Sequence, residues 1–199
     1  LAAIVSGEAE ANFEKGYRVN FDGTRNLFEA ILAQEGYRPR VVFTSSIAVY
    51  GASSDPTKIG GRPLDFLKSS GFDGPLYPIN PKAAQIQGLP AFATVSAVPG
   101  PVDLAIVAVP APGVLAALED CAAKGVGGAV VLSSGFAETG GQGVAWQAGI
   151  SALARRTGMR VVGPNCMGLI NVRRRLLGTF TPSAAGFGLV PGRISLVSQ

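Results

Sequence analysis

The chain has 199 residues, of which 47% are hydrophobic and 15% charged, with 27 glycines and 14 prolines. This composition predicts one full α/β domain with extensions and excludes a largely disordered chain, because a buried parallel sheet with glycine-rich loops needs many apolar and few charged residues. The net charge of +4 is uneven: residues 1–40 carry five basic and six acidic groups, whereas residues 53–199 carry twelve basic and seven acidic. Because no Lys/Arg run is interleaved with aromatics, we expect a small anionic ligand rather than nucleic acid.

The chain contains no histidine and two cysteines, Cys121 and Cys166. The absence of histidine excludes a Ser-His-Asp triad, a histidine general base and histidine metal ligands within this sequence. Two cysteines make no disulfide framework, so we expect a reducing cytoplasm and no bound metal, with Cys166 as a small buried hydrophobe. No apolar stretch is long enough to span a bilayer, and we therefore expect a soluble, cytoplasmic protein without membrane contact.

The N-terminal part predicts one long helix followed by a strand. Residues 9–35 carry an apolar stripe that includes Leu27 and Ile31, which is typical of a helix that buries one face. Gly36 ends this helix. The β-branched, apolar segment 41–50 then predicts a buried strand.

This strand leads directly into a loop at residues 51–61 that is rich in Gly, Ser and Lys, and a helix is predicted at residues 60–70. Free backbone N–H groups and the positive end of a helix bind anions at such turns. The loop therefore predicts a site for a phosphate-bearing ligand. A structural alternative remains, in which Gly51, Gly60 and Gly61 only permit a tight turn.

Further strands and helices alternate along the rest of the chain. Strands are predicted at residues 75–80, 104–109, 128–132 and 159–162, and helices at residues 114–123 and 143–157. This alternation predicts an α/β fold, a Rossmann-like doubly wound parallel sheet with an extra N-terminal helix. Ligands of such sheets bind beyond the carboxyl ends of the strands. We therefore expect one crevice lined by the loops at residues 51–61, 80–82, 109–113, 133–138 and 163–168.

From Ile47 onward, ordered motifs resemble the CoA-binding domain of NDP-forming acyl-CoA synthetases, the group that includes the α subunit of succinyl-CoA ligase. The motifs are Gly51-Ala52-Ser53 through Gly60-Gly61, Asn80-Pro81-Lys82, Val109-Pro110-Ala111-Pro112, Ser133-Ser134-Gly135-Phe136-Ala137-Glu138 and Gly163-Pro164-Asn165-Cys166-Met167-Gly168. The resemblance implies that CoA is the cofactor, with its phosphates on the 51–61 loop and near Lys82, and its adenine and pantetheine beside the next two motifs. The binding residues expected are Gly51, Ser53, Ser54, Lys58, Gly60, Lys82, Val109, Pro110, Ser134, Glu138 and Asn165.

The chemistry of CoA suits these residues independently. CoA carries a pyrophosphate and a 3′-phosphate, which backbone amides and the ammonium groups of Lys58 and Lys82 would bind. The resemblance further implies catalysis by a phosphorylated histidine and an ATP-grasp module, and this sequence has neither. We therefore expect the chain to bind CoA or an acyl-CoA thioester, without catalytic residues of its own, and to take part in ligase chemistry only with an ATP-grasp subunit or domain.

Residues 1–51 resemble instead a fragment of an extended short-chain dehydrogenase/reductase, close to D-erythronate dehydrogenase-like members. The motifs are Tyr17-Arg18-Val19-Asn20-Phe21-Asp22-Gly23-Thr24-Arg25-Asn26-Leu27 and Val42-Phe43-Thr44-Ser45-Ser46-Ile47-Ala48-Val49-Tyr50-Gly51. This resemblance implies an active-site Asn20, a catalytic Ser46 or Ser45, and NAD as an alternative cofactor of a dehydrogenase or epimerase fragment. The chain has no Gly-x-Gly-x-x-Gly and no Tyr followed four positions later by Lys, so we expect both serines to be ordinary strand residues.

The two resemblances together predict a fusion near residues 46–52. Three segments follow from it: a reductase-derived helical arm at residues 1–40, a CoA-binding Rossmann-like domain at residues 41–172, and residues 173–199 as a tail with the first strand of a truncated second domain. Both ends of the sequence are expected to be cuts in a longer protein. A structural alternative is a gene fragment with no function of its own.

Overall fold

The computed structural model describes residues 46–185, 188, 190, 191 and 196. The helices and strands below all lie in the compact unit Val42–Leu189. The predicted helix at residues 9–35, the first part of the predicted strand at residues 41–45, and both Asn20 and Ser45 lie outside the described residues. Within the described part of the chain, no helix combines the length and the apolar character needed to cross a membrane.

Nine strands and three α-helices make up the described fold. The strands are β1 (Ile47–Tyr50), β2 (Leu76–Ile79), β3 (Gln85–Ile86), β4 (Leu89–Pro90), β5 (Leu104–Val107), β6 (Gly128–Val131), β7 (Arg160–Val162), β8 (Gly168–Asn171) and β9 (Leu176–Thr179). The helices are α1 (Arg62–Ser69), α2 (Ala111–Lys124) and α3 (Gln142–Thr157), with 3₁₀ turns at Ala137–Thr139, Val172–Arg174 and Pro182–Ala185.

The central sheet contains five parallel strands in the order β2-β1-β5-β6-β7. Strand β1 is paired on both sides, with Ile47 opposite Leu76 of β2 and Leu104 of β5. The residues of β1, β5 and β6 are buried throughout, which explains why these segments are continuously apolar in the sequence. The structure thus confirms the predicted α/β, doubly wound, parallel fold.

Alternate side chains of the central strands are buried on opposite faces of the sheet. On one face, residues such as Ala48 and Val107 pack with Leu118 of α2 and Ile150 of α3. On the other face, a second cluster joins strand residues to α1 and to β9. Its members include Ile47, Val49, Leu64, Leu67, Ile106, Val130 and Leu176.

Helix α2 begins earlier than predicted and ends at a glycine. It starts at Ala111 with Pro110 as the N-cap and a proline within its first two positions, where the missing N–H of proline is not needed by the helix. It ends at Gly125, whose φ of 83° is left-handed, as is common at helix C-termini. The helix predicted at residues 114–123 therefore left out the first turn of α2, at residues 111–113.

Two short antiparallel hairpins were not expected from the sequence. Strands β3 and β4 form one, and β8 and β9 form the other. The second hairpin extends past residue 172, the expected domain boundary, and Leu176 of β9 is buried in the same core as the central sheet. Residues of this hairpin therefore belong to the core of the sheet domain.

Candidate functional site

A cavity of about 540 Å³ lies at the carboxyl edge of the sheet, next to the ends of β1, β2 and the loop after β5. From β1 the chain first adds β2 on one side, and later β5 on the other side. The loops that follow β1 and β5 diverge at such a switch point and leave a crevice between them. The cavity is lined by Tyr50, Gly51, Ile79, Asn80, Pro81, Lys82, Ala93, Thr94, Val109, Pro110, Gly113, Ala116, Ala117 and Asp120.

One wall of the cavity is a face of α2. Gly113, Ala116, Ala117 and Asp120 line it, and their spacing of three and four residues places them on the same side of the helix. Three of the four are small, so the helix surface leaves room for a ligand. A Cβ built on Gly113 would meet Val109 Cγ2 at 3.7 Å, which is ordinary contact.

Asp120 holds a hydrogen-bond network at this wall. Its Oδ2 accepts from the Tyr50 hydroxyl and from the Val95 N–H at 2.8 Å, and its Oδ1 accepts from the Ser96 hydroxyl. Burial favours a raised pKa for Asp120, but the hydrogen bonds from the Ser96 hydroxyl, the Tyr50 hydroxyl and the N–H groups of Val95 and Ser96 outweigh it and lower the pKa. Burial, and then the hydrogen bond to Asp120, raise the pKa of Tyr50. At neutral pH the pair is therefore a carboxylate and a neutral phenol.

Lys82 provides the positive charge among the residues that line the cavity. Asn80 fixes its loop, because the Asn80 Nδ2 donates to the Ala52 carbonyl at 2.9 Å and the Asn80 Oδ1 accepts from the Lys82 N–H at 2.9 Å. The Lys82 side chain is exposed. The Asn-Pro-Lys motif thus places the positively charged residue Lys82 at the carboxyl edge of the sheet.

The 51–61 loop is closed by its own backbone. A Cβ on Gly60 would lie 2.0 Å from the Gly51 carbonyl oxygen, and one on Gly61 would lie 1.9 Å from the Asp55 carbonyl oxygen. Glycine is therefore required at both positions by the close approach of the backbone.

Several amides of this loop already have partners. The N–H groups that donate within the loop belong to Ser53, Asp55, Thr57, Lys58 and Gly61. The expectation of free N–H groups is therefore wrong at these positions. The Asp55 carboxylate accepts from the hydroxyl and the N–H of Thr57, which together lower its pKa, so the loop also carries a fixed negative charge.

The loops after β5, β6 and β7 contact one another at the same edge. The Ser133 hydroxyl donates to the Val109 carbonyl at 2.5 Å, and the Asn165 N–H donates to the Ser133 carbonyl at 2.9 Å. The Glu138 carboxylate accepts from the N–H of Gly135 at 2.7 Å and of Phe136 at 3.1 Å. These backbone hydrogen bonds lower the pKa of Glu138. Glu138 therefore closes its own loop.

The structure brings together four of the expected binding residues, Gly51, Lys82, Val109 and Pro110, in the lining of the cavity. The others lie in the loops of the same edge but not in that lining. They are Ser53, Ser54, Lys58, Gly60, Ser134, Glu138 and Asn165.

Ser46 lies at the opposite edge of the sheet, immediately before β1. It is 3% exposed, and its hydroxyl donates to the Asp103 carboxylate at 2.7 Å. In doubly wound sheets ligands bind at the carboxyl ends of the strands, so Ser46 is a buried structural residue at the amino end rather than part of the site.

Gln87 is a positioning residue that the sequence reading missed. Its Nε2 donates to the carbonyls of Ser53 at 3.0 Å and Gly61 at 2.9 Å, so it holds the 51–61 loop from the β3–β4 hairpin. Gln87 and Gly88 form the hairpin turn, with φ of 49° and 81°. A two-residue turn of this kind favours glycine. In the sequence, Gly88 after Gln87 was therefore the feature that could have predicted this hairpin.

Tyr50 and Asp120 were also missed as site residues. Tyr50 is the last residue of β1, and its apolar, β-branched surroundings predict only a strand. Asp120 follows Gly113, Ala116 and Ala117 at helical spacing, and this pattern of small residues ending in an acid was visible. The pattern alone does not show that these residues line a cavity. That follows from the fold, which places α2 beside the ends of β1 and β2.

Comparison with known proteins identifies the family. Residues 45–172 match the CoA binding domain family, and the chain belongs to that family. Residues 1–72 also match the NAD dependent epimerase/dehydratase family. These matches confirm both resemblances seen in the sequence, and they overlap over residues 45–72.

Individual relatives also match the larger part of the chain. The α subunit of acetate–CoA ligase [ADP-forming] II from Pyrococcus furiosus is 39% identical over 153 residues, which are 77% of this chain and 32% of that protein. A solved structure of dinucleotide forming acetyl-coenzyme A synthetase 1 from Ca. Korarchaeum cryptofilum, in complex with phosphate and ADP, is 46% identical with a TM-score of 0.66, and the match covers 69% of this chain and 29% of that chain. The present chain thus spans about a third of the length of these relatives.

A further relative matches a shorter part of the chain. D-erythronate dehydrogenase from Cupriavidus necator is 55% identical over 56 residues, which are 28% of this chain and 17% of that protein. This short match agrees with the match of residues 1–72 to the epimerase/dehydratase family.

Proposed function

We propose that this chain binds CoA or acyl-CoA at the carboxyl edge of its sheet, as the CoA-binding domain of an NDP-forming acyl-CoA synthetase. The observation that carries the proposal is the cavity at the switch point between β1 and β5, lined by Gly51, Lys82, Val109 and Pro110. This cavity lies within the segment that matches the CoA binding domain family.

The lining suits one end of a CoA molecule. Most of it is apolar, from Ile79, Val109 and the alanines of α2, and Lys82 adds a cation. Ligand pockets of this type combine apolar walls with a few polar groups that set orientation. A flat base would lie against the walls, and the Lys82 ammonium would bind a phosphate as a point charge.

The remaining candidates extend the site along the same edge. In the 51–61 loop, Lys58 and the hydroxyls of Ser53 and Ser54 would contact the pyrophosphate, since several backbone amides there are already paired. The contact of the 133–138 loop with Val109 supports a path for pantetheine past Ser134, Glu138 and Asn165.

Ligase chemistry would need further components. The 199 residues contain no histidine, so a phosphohistidine and an ATP-grasp module would have to come from another domain or subunit. The names of the relatives, acetate–CoA ligase [ADP-forming] and acetyl-coenzyme A synthetase, place CoA thioester formation in those whole proteins. We propose the same reaction class for the assembly in which this domain acts.

A second candidate ligand is NAD, because residues 1–72 match the NAD dependent epimerase/dehydratase family. The chain has neither the glycine-rich dinucleotide turn nor a Tyr-Lys pair at the required spacing. Both are needed for NAD-linked reduction in that family type, so CoA is the first candidate.

Titration with CoA, dephospho-CoA and NAD tests the proposal. A ligand that binds only the folded state raises its stability by about 2.7 kcal/mol at a concentration of 100 times its Kd. We expect thermal unfolding to shift upward with CoA, less with dephospho-CoA, and not with NAD. A shift with NAD alone would favour the reductase reading, and no shift with any of the three would refute ligand binding at this edge.

A further inference from the structure

A short segment at residues 92–98, here called the strap, forms part of the wall of the cavity. Ala93 and Thr94 of the strap are among the residues that line the cavity. Val95 and Val98 are buried and belong to the core cluster on the α2 face of the sheet. The strap therefore joins residues of the cavity wall to residues anchored in the core.

Both ends of the strap are held by other elements. The Phe92 N–H donates to the Pro78 carbonyl of β2 at 2.9 Å, and the Asn80 N–H donates to the Phe92 carbonyl at 2.8 Å. At the other end, the Lys124 ammonium of α2 donates to the Val98 carbonyl. The part of the strap between these ends has to be held by other contacts.

Asp120 holds the middle of the strap against α2. Its carboxylate accepts from the Val95 N–H at 2.8 Å, from the Ser96 hydroxyl and from the Ser96 N–H. The Val95 N–H also donates to the Tyr50 hydroxyl at 3.2 Å, and this hydroxyl donates to Asp120. Among the residues that the structure describes, the hydrogen bonds from residues 93–97 to other elements go to Asp120 and Tyr50.

We propose that Asp120 is a positioning residue of the ligand site, which acts through the strap by fixing Ala93 and Thr94 as a preformed wall of the cavity. The inference rests on the proposed function, because it takes CoA as the ligand. Hydrogen bonds to an ionised carboxylate are stronger than those between neutral groups, and a wall that is already ordered loses less conformational freedom when a ligand binds. Without Asp120, the strap has to be ordered at the moment of binding.

Asp120→Ala tests this role. We expect the variant to bind CoA about tenfold more weakly by calorimetry, since ordering the strap then costs about as much as immobilising one or two side chains. Glu119→Ala is the matched control, because it removes an exposed carboxylate from the adjacent position of α2, and it should keep the affinity of the unmodified chain. Equal affinities of Asp120→Ala and the unmodified chain would overturn the proposal.

Ser96→Ala separates positioning from direct contact with the ligand. Asp120 lines the cavity and Ser96 does not, so the Ser96 hydroxyl acts on CoA through the strap. We expect Ser96→Ala to weaken CoA about two- to threefold, the lower part of the range for one hydrogen bond. Combined with Asp120→Ala it should have no further effect, because its acceptor is already gone. No loss with Ser96→Ala, or losses that multiply in the double variant, would refute positioning through the strap.

Amide hydrogen exchange distinguishes a loosened strap from a general loss of stability. In Asp120→Ala, the amides of Val95 and Ser96 should gain more in exchange rate than those of the buried strand β6. Saturating CoA should restore their protection, because the strap is ordered in the bound state. An equal acceleration of the strap and β6 would mean that Asp120 only stabilises the fold, and this would overturn the proposal.

The outcomes separate this proposal from the proposed function. If CoA binds the unmodified chain and all variants equally, the role of Asp120 is refuted and CoA binding stands. If CoA does not bind the unmodified chain, both proposals fail. Should Asp120→Ala not fold, the affinity of Ser96→Ala for CoA and the exchange of its strap amides decide.

Discussion

Lys82 and Asp120 are the two oppositely charged residues in the lining of the cavity, and they are held differently. The Asp120 carboxylate is fixed by hydrogen bonds, whereas Asn80 fixes only the backbone of Lys82, whose side chain is exposed. The N–H of Lys82 donates to Asn80, and Asp120 accepts hydrogen bonds from three residues. Side chains placed in advance lose less conformational freedom when a ligand binds. The position of the negative charge is thus set before any ligand binds, and that of the Lys82 ammonium is not.

The two candidate phosphate-binding lysines should behave differently. Lys82 lines the cavity, whereas Lys58 is an exposed residue of the 51–61 loop. We expect Lys82→Ala to weaken CoA about three- to tenfold, as an exposed charge pair allows, and to weaken dephospho-CoA less. Lys58→Ala should weaken both ligands equally if it contacts the pyrophosphate. Calorimetric titration of both variants measures this, and an equal loss of the two ligands with Lys82→Ala would refute its contact with the 3′-phosphate.

Gly60 should tolerate no side chain. Its Cβ would lie 2.0 Å from a backbone oxygen, so Gly60→Ala requires the loop to move, and we expect a loss of more than about 2 kcal/mol in the free energy of unfolding. Gly113→Ala is the control, because its Cβ has room and alanine favours the helix by up to about 1 kcal/mol. Urea denaturation of both variants checks the prediction, which fails if Gly60→Ala is as stable as the unmodified chain.

Cys121 should make stability depend on alkaline pH. Burial, and then the charge of Asp120, raise the pKa of the Cys121 thiol from 9.0 to about 12. Between these values the unfolded chain releases the proton while the folded chain keeps it, so stability falls as the pH rises. We expect a loss of about 1 kcal/mol between pH 9 and pH 10.

Denaturation at several pH values, compared with Cys121→Ala, isolates this contribution. The variant starts from lower stability because a buried side chain is shortened, but its stability should change less over the same interval. Identical pH slopes for the two proteins would contradict the prediction. The interval stops at pH 10 because the hydroxyl of Tyr50, whose pKa is also raised, contributes in the same direction above it.

At the scale of elements, the β3–β4 hairpin holds the 51–61 loop. Gln87 lies at its turn and donates to two loop carbonyls. Gln87→Ala leaves both carbonyls without this donor, and we expect a loss of about 1–3 kcal/mol in stability. Hydrogen exchange of the loop amides should accelerate in this variant.

Gln85→Ala provides the control for this prediction. Gln85 is exposed on β3 of the same hairpin, so its replacement should change stability by less than about 0.5 kcal/mol. Unchanged exchange of the loop amides in Gln87→Ala would show that the hairpin does not hold the loop.

Strand β2 shows how an element can contain proline and still join a sheet. Pro78 lies within β2, which is the edge strand of the five-stranded sheet. Proline is tolerated at sheet edges because its missing N–H need not face a partner strand. The structure confirms the short strand predicted at residues 75–80, and the topology explains the position of Pro78.

At the scale of the whole molecule, the β8–β9 hairpin completes the core on the α1 face. Leu176 is 2% exposed and clusters with Ile47 and Leu64. We expect Leu176→Ala to lower the free energy of unfolding by about 2–5 kcal/mol. Ile170→Ala on β8, where the side chain is 46% exposed, should cost less than about 1 kcal/mol.

Thermal and urea unfolding of both variants test whether the hairpin belongs to this domain. A single unfolding transition with a reduced midpoint for Leu176→Ala is the expected result. An unchanged midpoint would mean that residues beyond 172 contribute little to the core.

The overlap of the two family matches at residues 45–72 has a physical basis in β1. This strand is buried along its length and is paired on both sides. Such a strand is specified mainly by apolar, β-branched residues, a requirement that two unrelated parallel sheets can share. A junction within it therefore preserves the local sequence pattern of both.

The sequence by itself determined the parallel α/β fold, the order of the main strands and helices, and the loops that carry the binding motifs. Continuous apolar segments predict the buried strands, and amphipathic segments predict the helices, from the residues of each element alone. The fold could be predicted in this way because β1, β5 and β6 are buried on both faces. A strand buried on both faces consists of apolar residues along its whole length.

Only the tertiary structure decided which loop residues share a cavity, that Tyr50, Gln87 and Asp120 belong to the site, and that the β8–β9 hairpin completes the core. These features depend on contacts between residues far apart in the chain, such as Tyr50 with Asp120. A hydrogen bond between distant residues leaves no periodic pattern at either one. The order of the strands in space, rather than along the chain, brings them together.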